Sequence, residues 1–187
     1  GQSVTVYGTS EVGVQLDFYA TADCSGSSFA SVAESTGEFS VQLEITALNA
    51  ETAVYAVATD TVGLSSSCSE VPFVYVHDDT QPEEPIFAAT DPDGTANENS
   101  PQLWVSTEPF ATVEVFTEGT CSSSIAGSGV ADEEGNASVE VSVEDDSVTE
   151  FFAITIDQAG NVSGCSLGSV IFVEDSTVPE LLEIVSI

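Results

Sequence analysis

Carboxylates are the side chains best equipped for chemistry in this sequence. There are 32 Asp and Glu in 187 residues, and no Lys or Arg stands against them. Such a chain has no arginine clamp for phosphate and no amine for a Schiff base. Its net charge of -32 repels nucleic acid, heparin-like polymers and anionic lipid, which excludes them as partners. Calcium does suit these side chains, because it takes about six to eight oxygen ligands. Two sets are candidates, Asp60, Asp78 and Asp79 in the first half and Asp157, Glu174 and Asp175 in the second. A third is the loop from Asp91 to Glu98, where Asp91 and Asp93 carry a D-x-D-G spacing without the closing bidentate Glu of a calcium loop. The competing reading is solvated surface, with each hairpin Asp capping its own turn. Catalysis has few parts to work with. His77 is the one histidine and is expected in a solvated linker, so a triad or a phosphoryl-transfer site cannot be assembled. A glycosidase needs only two carboxylates, but small β-sandwich modules seldom have a cleft for one, and no enzyme is expected.

The four cysteines form two equivalent pairs. Placing Cys24 on Cys121, a shift of 97 residues, also carries Cys68 onto Cys165, Asp60 onto Asp157, Gly63 onto Gly160 and Pro82 onto Pro179. Two cysteines per copy with none left over read as the disulfides Cys24 to Cys68 and Cys121 to Cys165, in an extracellular or cell-surface protein. Each would close a loop of 44 residues, worth about 4 kcal/mol on the chain-entropy estimate. Zinc is the rival, but neither CxxC spacing nor a companion His is present.

A period of this size is that of a domain. Short alternating segments lie between turn signals, at Ile86 to Ala89, Gln102 to Val105, Ala111 to Thr117, Ile125 to Val130, Ala137 to Val143, Phe151 to Ile156 and Val170 to Val173. Seven strands per copy and no helical periodicity predict an all-β chain of two tandem immunoglobulin-like sandwich modules. Phe39, Val41, Leu43 and Ile45 alternate with Ser40, Gln42 and Glu44, so one face of that strand is buried. Trp104, which falls on Tyr7 in the repeat, is expected in the core, as are Phe29 and Phe110. The composition is 42% hydrophobic and contains no apolar run near the roughly 18 residues of a membrane span, so membrane insertion is not expected.

The repeat is out of phase with the chain. Residue 1 falls on residue 98, so module 1, residues 1–79, is read without a first strand of its own. Module 2 covers residues 80–176, and residues 177–187 repeat the opening of module 2. Leu181, Leu182, Ile184, Val185 and Ile187 are thus expected to form a first strand for a following module or subunit. Two arrangements satisfy this pattern, strand donation between copies of the chain arranged head to tail, and a longer covalent array.

The stretch Ala153-Ile154-Thr155-Ile156-Asp157-Gln158-Ala159-Gly160-Asn161-Val162-Ser163 and the linker Glu174-Asp175-Ser176-Thr177-Val178-Pro179 resemble the hairpin and linker of the bacterial Ig-like (Big-type) repeats of large secreted and cell-surface proteins. A looser copy runs from Ala58 to Gly63 and from Asp78 to Pro82, departing from the pattern at Leu64, where the family has Asn. The resemblance implies an extracellular setting and calcium at module junctions. Two functions follow as expectations, a structural subunit of an extracellular filament or appendage, or else an adhesin stalk or recognition module binding a glycan or protein.

Overall fold

Period-2 alternation dominates the chain, and strands are what it forms. The computed structural model describes residues 2–33 and 36–181. The chain divides into two units, Gly1–Asp79 and Thr80–Ile187, and every regular element in the described residues is a strand.

Unit 1 contains β1 (Gln2–Thr9), β2 (Gln15–Tyr19), β3 (Ala30–Ala33), β4 (Glu38–Ile45), β5 (Ala50–Thr59) and β6 (Phe73–His77). One sheet has the order β3-β2-β5-β6 and the other is the pair β1-β4. Val41, Leu43 and Ile45 point inward from β4 and meet Val6, Leu16, Phe18 and Val54 in the core. Burial of these side chains, at about 25 cal/mol per Å² of apolar surface, is the main force holding the sheets face to face.

Unit 2 contains β7 (Ile86–Asp91), β8 (Thr95–Ala96), β9 (Gln102–Ser106), β10 (Thr112–Phe116), β11 (Gly127–Val130), β12 (Asn136–Glu140), β13 (Val148–Ile156) and β14 (Val170–Glu174). Its sheets are β11-β10-β13-β14-β8 and β12-β9-β7. The core gathers Leu103, Val105, Val113, Val115, Val139, Phe151 and Phe172. Strand β12 ends at Glu140, yet the inward alternation continues through Val141 and Val143, whose N–H groups donate to Pro101 and Asn99 carbonyls at 3.2 and 3.0 Å.

Each of the seven predicted segments of the second copy is a strand, and two sheets pack face to face in each unit. Three predicted burials are overturned. Trp104 is 42% exposed and Phe29 and Phe110 are likewise on the surface, whereas His77 is only 4% exposed. Strand parity explains two of these results: Leu103 and Val105 face the core, so Trp104 faces out, and His77 lies on the inward side of β6, its ring 6.5 Å from that of Tyr75. Phe29 and Phe110 stand in loops just outside the strands they precede.

Candidate functional site

Hairpins and sandwich ends hold most of the predicted side chains, and the repeat sets them in matched geometry. In unit 2 the Asp157 carboxylate accepts the N–H groups of Ala159 and Asn161 at 2.8 Å each, and its second oxygen accepts the Asn161 side-chain amide at 2.8 Å. Those bonds, the Asn161 side chain first, hold the Asp157 carboxyl below the usual carboxylate range. In unit 1 the Asp60 carboxylate accepts the N–H groups of Val62 and Leu64 at 2.9 and 2.8 Å. Gly63 and Gly160 both take φ of +89° to close these turns.

Beside each hairpin, two serine hydroxyls finish the hydrogen bonding of the long strand. Ser166 Oγ and Ser163 Oγ accept the N–H groups of Ala153 and Thr155 at 3.1 and 2.8 Å. Ser69 Oγ and Ser66 Oγ do the same for Ala56 and Ala58, both at 3.1 Å. Sequence reasoning did not single out these serines. Their signal was present, since Ser66 and Ser69 fall on Ser163 and Ser166 in the repeat.

The predicted calcium sets do not converge. Asp157 follows the last residue of β13, whereas Glu174 pairs beside Ser147 at its beginning. At roughly 3.3 Å per residue, a strand of this length separates them by about 30 Å. Strand β5 separates Asp60 from Asp78 and Asp79 in the same way, because Ala50 is opposite His77. Asp79 N–H donates to Asn49 Oδ1 at 2.7 Å. Asp91 is the last residue of β7, opposite Gln102, and Asp93 is exposed in the turn that follows. Among the described residues no three acidic, histidine or cysteine side chains are placed to share a metal ion. The long strands therefore overrule the grouping expected from sequence.

One carboxylate differs from the rest. Glu174 is 1% exposed, and its Oε2 accepts Asp146 N–H at 2.5 Å and Ser176 Oγ–H at 3.3 Å. Its Oε1 is buried with no hydrogen-bond partner, an arrangement that leaves an acceptor fully desolvated. Asp146 in turn accepts Ser176 N–H at 3.0 Å and Thr177 Oγ1–H at 2.8 Å. The Thr177 hydroxyl is the main reason that the Asp146 carboxyl lies below its usual range. Asp175 faces solvent on the other side of the strand and caps Thr177 N–H at 3.1 Å.

The disulfides form as expected, Cys24 to Cys68 and Cys121 to Cys165, with Cα atoms 5.6 and 5.7 Å apart. Each ties the loop after the second or tenth strand to the loop before the sixth or fourteenth, and no free cysteine is left. Such bridges belong to an oxidising compartment, which suits an extracellular or cell-surface protein. No helix of the described residues is long and apolar enough to cross a membrane.

Among the described residues, the two units differ at one sheet edge. In unit 2, β7 lies along β9 on the side away from β12, pairing Phe87 with Val105 and Ala89 with Trp104. Phe87 packs against the cluster containing Val113, Val115, Ala137 and Ala153. In unit 1, β1 pairs only with β4 among the described residues. Leu16, Phe18, Phe39 and Ala56, which repeat those four positions, line an open cleft of about 320 Å³. Ala153, Thr155, Ser163 and Ser166 are buried, while Ala56, Ala58, Ser66 and Ser69 are half-buried or exposed. Of the strand expected to complete such an edge, Leu181 is 99% exposed. Leu182, Ile184, Val185 and Ile187 lie outside the described residues.

No family model matches the chain, and no curated protein matches it. Solved structures do. The fibronectin(III)-like modules of Clostridium thermocellum CbhA are 15% identical over 98% of this chain and 92% of that one, with a TM-score of 0.54, which shows the sandwich fold. The BSP domain of a biofilm associated protein is 16% identical over 94% of this chain and 28% of its own, with a TM-score of 0.37. The D00-D0 domain of intimin is 16% identical over 91% of this chain and 92% of its own, with a TM-score of 0.30.

Proposed function

We propose that this chain is a structural segment of an extracellular fibre or surface appendage, built from Ig-like units joined end to end by strand complementation. The observation that carries the reading is the open cleft beside β1, lined by Leu16, Phe18, Phe39 and Ala56, whose counterparts in unit 2 belong to the cluster that Phe87 of β7 packs against. A strand of the β7 kind laid along β1 would cover Ala56 and Ala58 and pair an edge otherwise open to aggregation. Residues 179–187 repeat positions 82–90, and Ile184 repeats Phe87. That segment therefore has the pattern of such a strand. The same geometry serves a covalent array and an assembled polymer, because the occupant is one type of strand in either case.

The register supplies the test. Ala89 pairs with Trp104 in unit 2, so Ser186 of one copy should lie opposite Tyr7 of the next. Under mild oxidation, the double variant Tyr7→Cys and Ser186→Cys should give a ladder of covalent oligomers on a non-reducing gel, and either single variant nothing beyond a dimer. Adding Ile184→Asp should abolish the ladder. A double variant that stays monomeric, or closes on itself, would overturn head-to-tail joining.

Calcium enters the proposal at one place, the Glu174 carboxylate, whose Oε2 is reached by the Ser176 hydroxyl, with the Asp146 carboxylate held nearby by Ser176 and Thr177. At constant ionic strength, calcium should then raise the unfolding midpoint of unit 2 and leave Glu174→Gln unmoved. An equal rise in that variant, or with magnesium, would reduce the effect to general screening of charge.

A further inference from the structure

The outer face of the β12-β9-β7 sheet carries an arrangement that the fibre reading does not use. Trp104 stands at its centre, exposed to solvent. Its cross-strand neighbours are Ser138 on β12 and Ala89 on β7, and Ser106 stands on the same face two residues along β9. These are small side chains, and they leave 42% of Trp104 open to solvent. One step the other way along β9 is Gln102, paired with Glu140 on one side and Asp91 on the other. The Gln102 amide donates to Glu140 Oε2 at 3.0 Å and its carbonyl oxygen accepts the Ser138 hydroxyl at 2.8 Å. Unit 1 keeps the ring but not its border: Tyr7 is 77% exposed in the same place on β1, opposite Ser40, with Thr5 and Gln42 where unit 2 has Gln102 and Glu140.

An exposed aromatic ring next to a fixed amide and two carboxylates presents an apolar plate bordered by hydrogen-bond acceptors. A pyranose ring matches it, with C–H groups on its face for the plate and polar groups on its rim for the border. The charge of the chain then selects among sugars. At -32 it repels uronic or sulfated polymers and draws cations, and a protonated amine gains further from the ring through its quadrupole. The geometry points to a polymer of amino sugars with free amines as the ligand of this face. One sugar would stack on Trp104 with its amine toward Asp91, Gln102 and Glu140. Tyr7 would provide a second, weaker contact one module away.

Calorimetric titration of the full chain with a glucosamine hexamer, in about 0.15 M salt and with the amines protonated, tests this. Trp104 is the sole tryptophan, so a shift of its fluorescence should accompany the heat. Trp104→Ala should weaken binding roughly tenfold and Trp104→Phe much less. Glu140→Gln should weaken it a few-fold, and the fully N-acetylated hexamer should bind more weakly than the free amine form. Trp104→Phe and Glu140→Gln should keep an unfolding midpoint near that of the parent, and Trp104→Ala, which gives up the covered part of the ring, is titrated at a temperature where calorimetry shows its unit folded. The proposal is overturned if Trp104→Ala binds like the parent, if the N-acetylated hexamer binds as tightly, or if poly-L-lysine shows the same dependence on Trp104.

Discussion

The two units are built from one plan, and they differ most at one edge, where among the described residues β1 pairs only with β4 while β9 has β7 on its other side. Unit 2 has β7 beside β9 and β8 beside β14, and its long strand β13 is buried at Phe151, Ala153 and Thr155. Unit 1 keeps the hairpin, the serine hydroxyl bonds and the disulfide, but of the matching residues only Val54 is buried, and Ala56 and Ala58 are half-buried. Turn and hydroxyl hydrogen bonds thus persist without that edge strand, because each joins residues of the one hairpin, at most 13 positions apart. Closure of the apolar cleft does not persist, because it needs a side chain from a distant segment. Local bonds fix the shape of the sandwich, and the edge strand fixes how much apolar surface that shape removes from water.

The largest break in the comparison should come from the disulfides. Each closes the same loop length, so the chain-entropy term is the same, about 4 kcal/mol. The remaining stability is not the same, since unit 2 has the larger buried cluster. Replacing Cys24 and Cys68 by Ser should leave unit 1 largely unfolded, whereas replacing Cys121 and Cys165 should lower the midpoint of unit 2 but leave it folded at room temperature. Two separated calorimetric transitions in the parent, with the lower one lost in the first double variant, would bear this out. Equal sensitivity of the two transitions would remove the inference that unit 1 is the weaker.

A smaller effect tests how the cores trade volume. Gly8 pairs with Phe39 in unit 1 and Val105 with Ala137 in unit 2, at corresponding places in the repeat. A Cβ on Gly8 would come within 2.5 Å of the Phe39 ring, so the small residue on one strand is the condition for the large one on its partner. Phe39 also packs its ring 5.9 Å from Phe18. Phe39→Ala alone should cost about 2 to 3 kcal/mol, less than a fully buried Phe because it is half-exposed, and Gly8→Val alone about 1 to 3 kcal/mol. Together they recreate the pair of unit 2 and should cost clearly less than the sum. Strict additivity in urea unfolding would show that the two sites are uncoupled.

Much of this organisation was legible in the residues. Period-2 runs gave the strands, and the cysteine spacing gave both bridges. Parity also held the answers that were misread: Trp104 sits between inward Leu103 and Val105, and His77 is two residues from inward Tyr75, so residue size and charge were weaker guides than alternation. The carboxylate sets could not be read so directly. Asp157 and Glu174 are close in the repeat motif, but a hairpin returns the chain along a whole strand, and only the pairing of β13 with β14 shows that they lie at opposite ends. The phase of the repeat pointed to an edge without its first strand, but which side chains line the cleft there is a long-range fact that no local pattern encodes.

The smallest expected effect concerns the hairpins themselves. Asn161 gives Asp157 a side-chain donor that Leu64 cannot give Asp60. Leu64→Asn should therefore raise the midpoint of unit 1 by about 1 to 3 °C near neutral pH. The pH dependence has a definite sign. A carboxyl held below its ordinary range contributes stability above the unfolded-state value, near 3.9 for Asp, and loses it as pH falls through the lower folded value. Asp157 is such a group. Acid also relieves the mutual repulsion of 32 carboxylates, so both units should gain stability from pH 7 toward about 4.5. Below the ordinary Asp range the hairpin contribution should be withdrawn, and Asp157→Asn should remove that part of the decline from unit 2 alone. Thermal scans across this range in the parent, Asp157→Asn and Leu64→Asn separate the two effects: repulsion acts on every variant and is weakened by salt, whereas the hairpin term follows the single carboxylate.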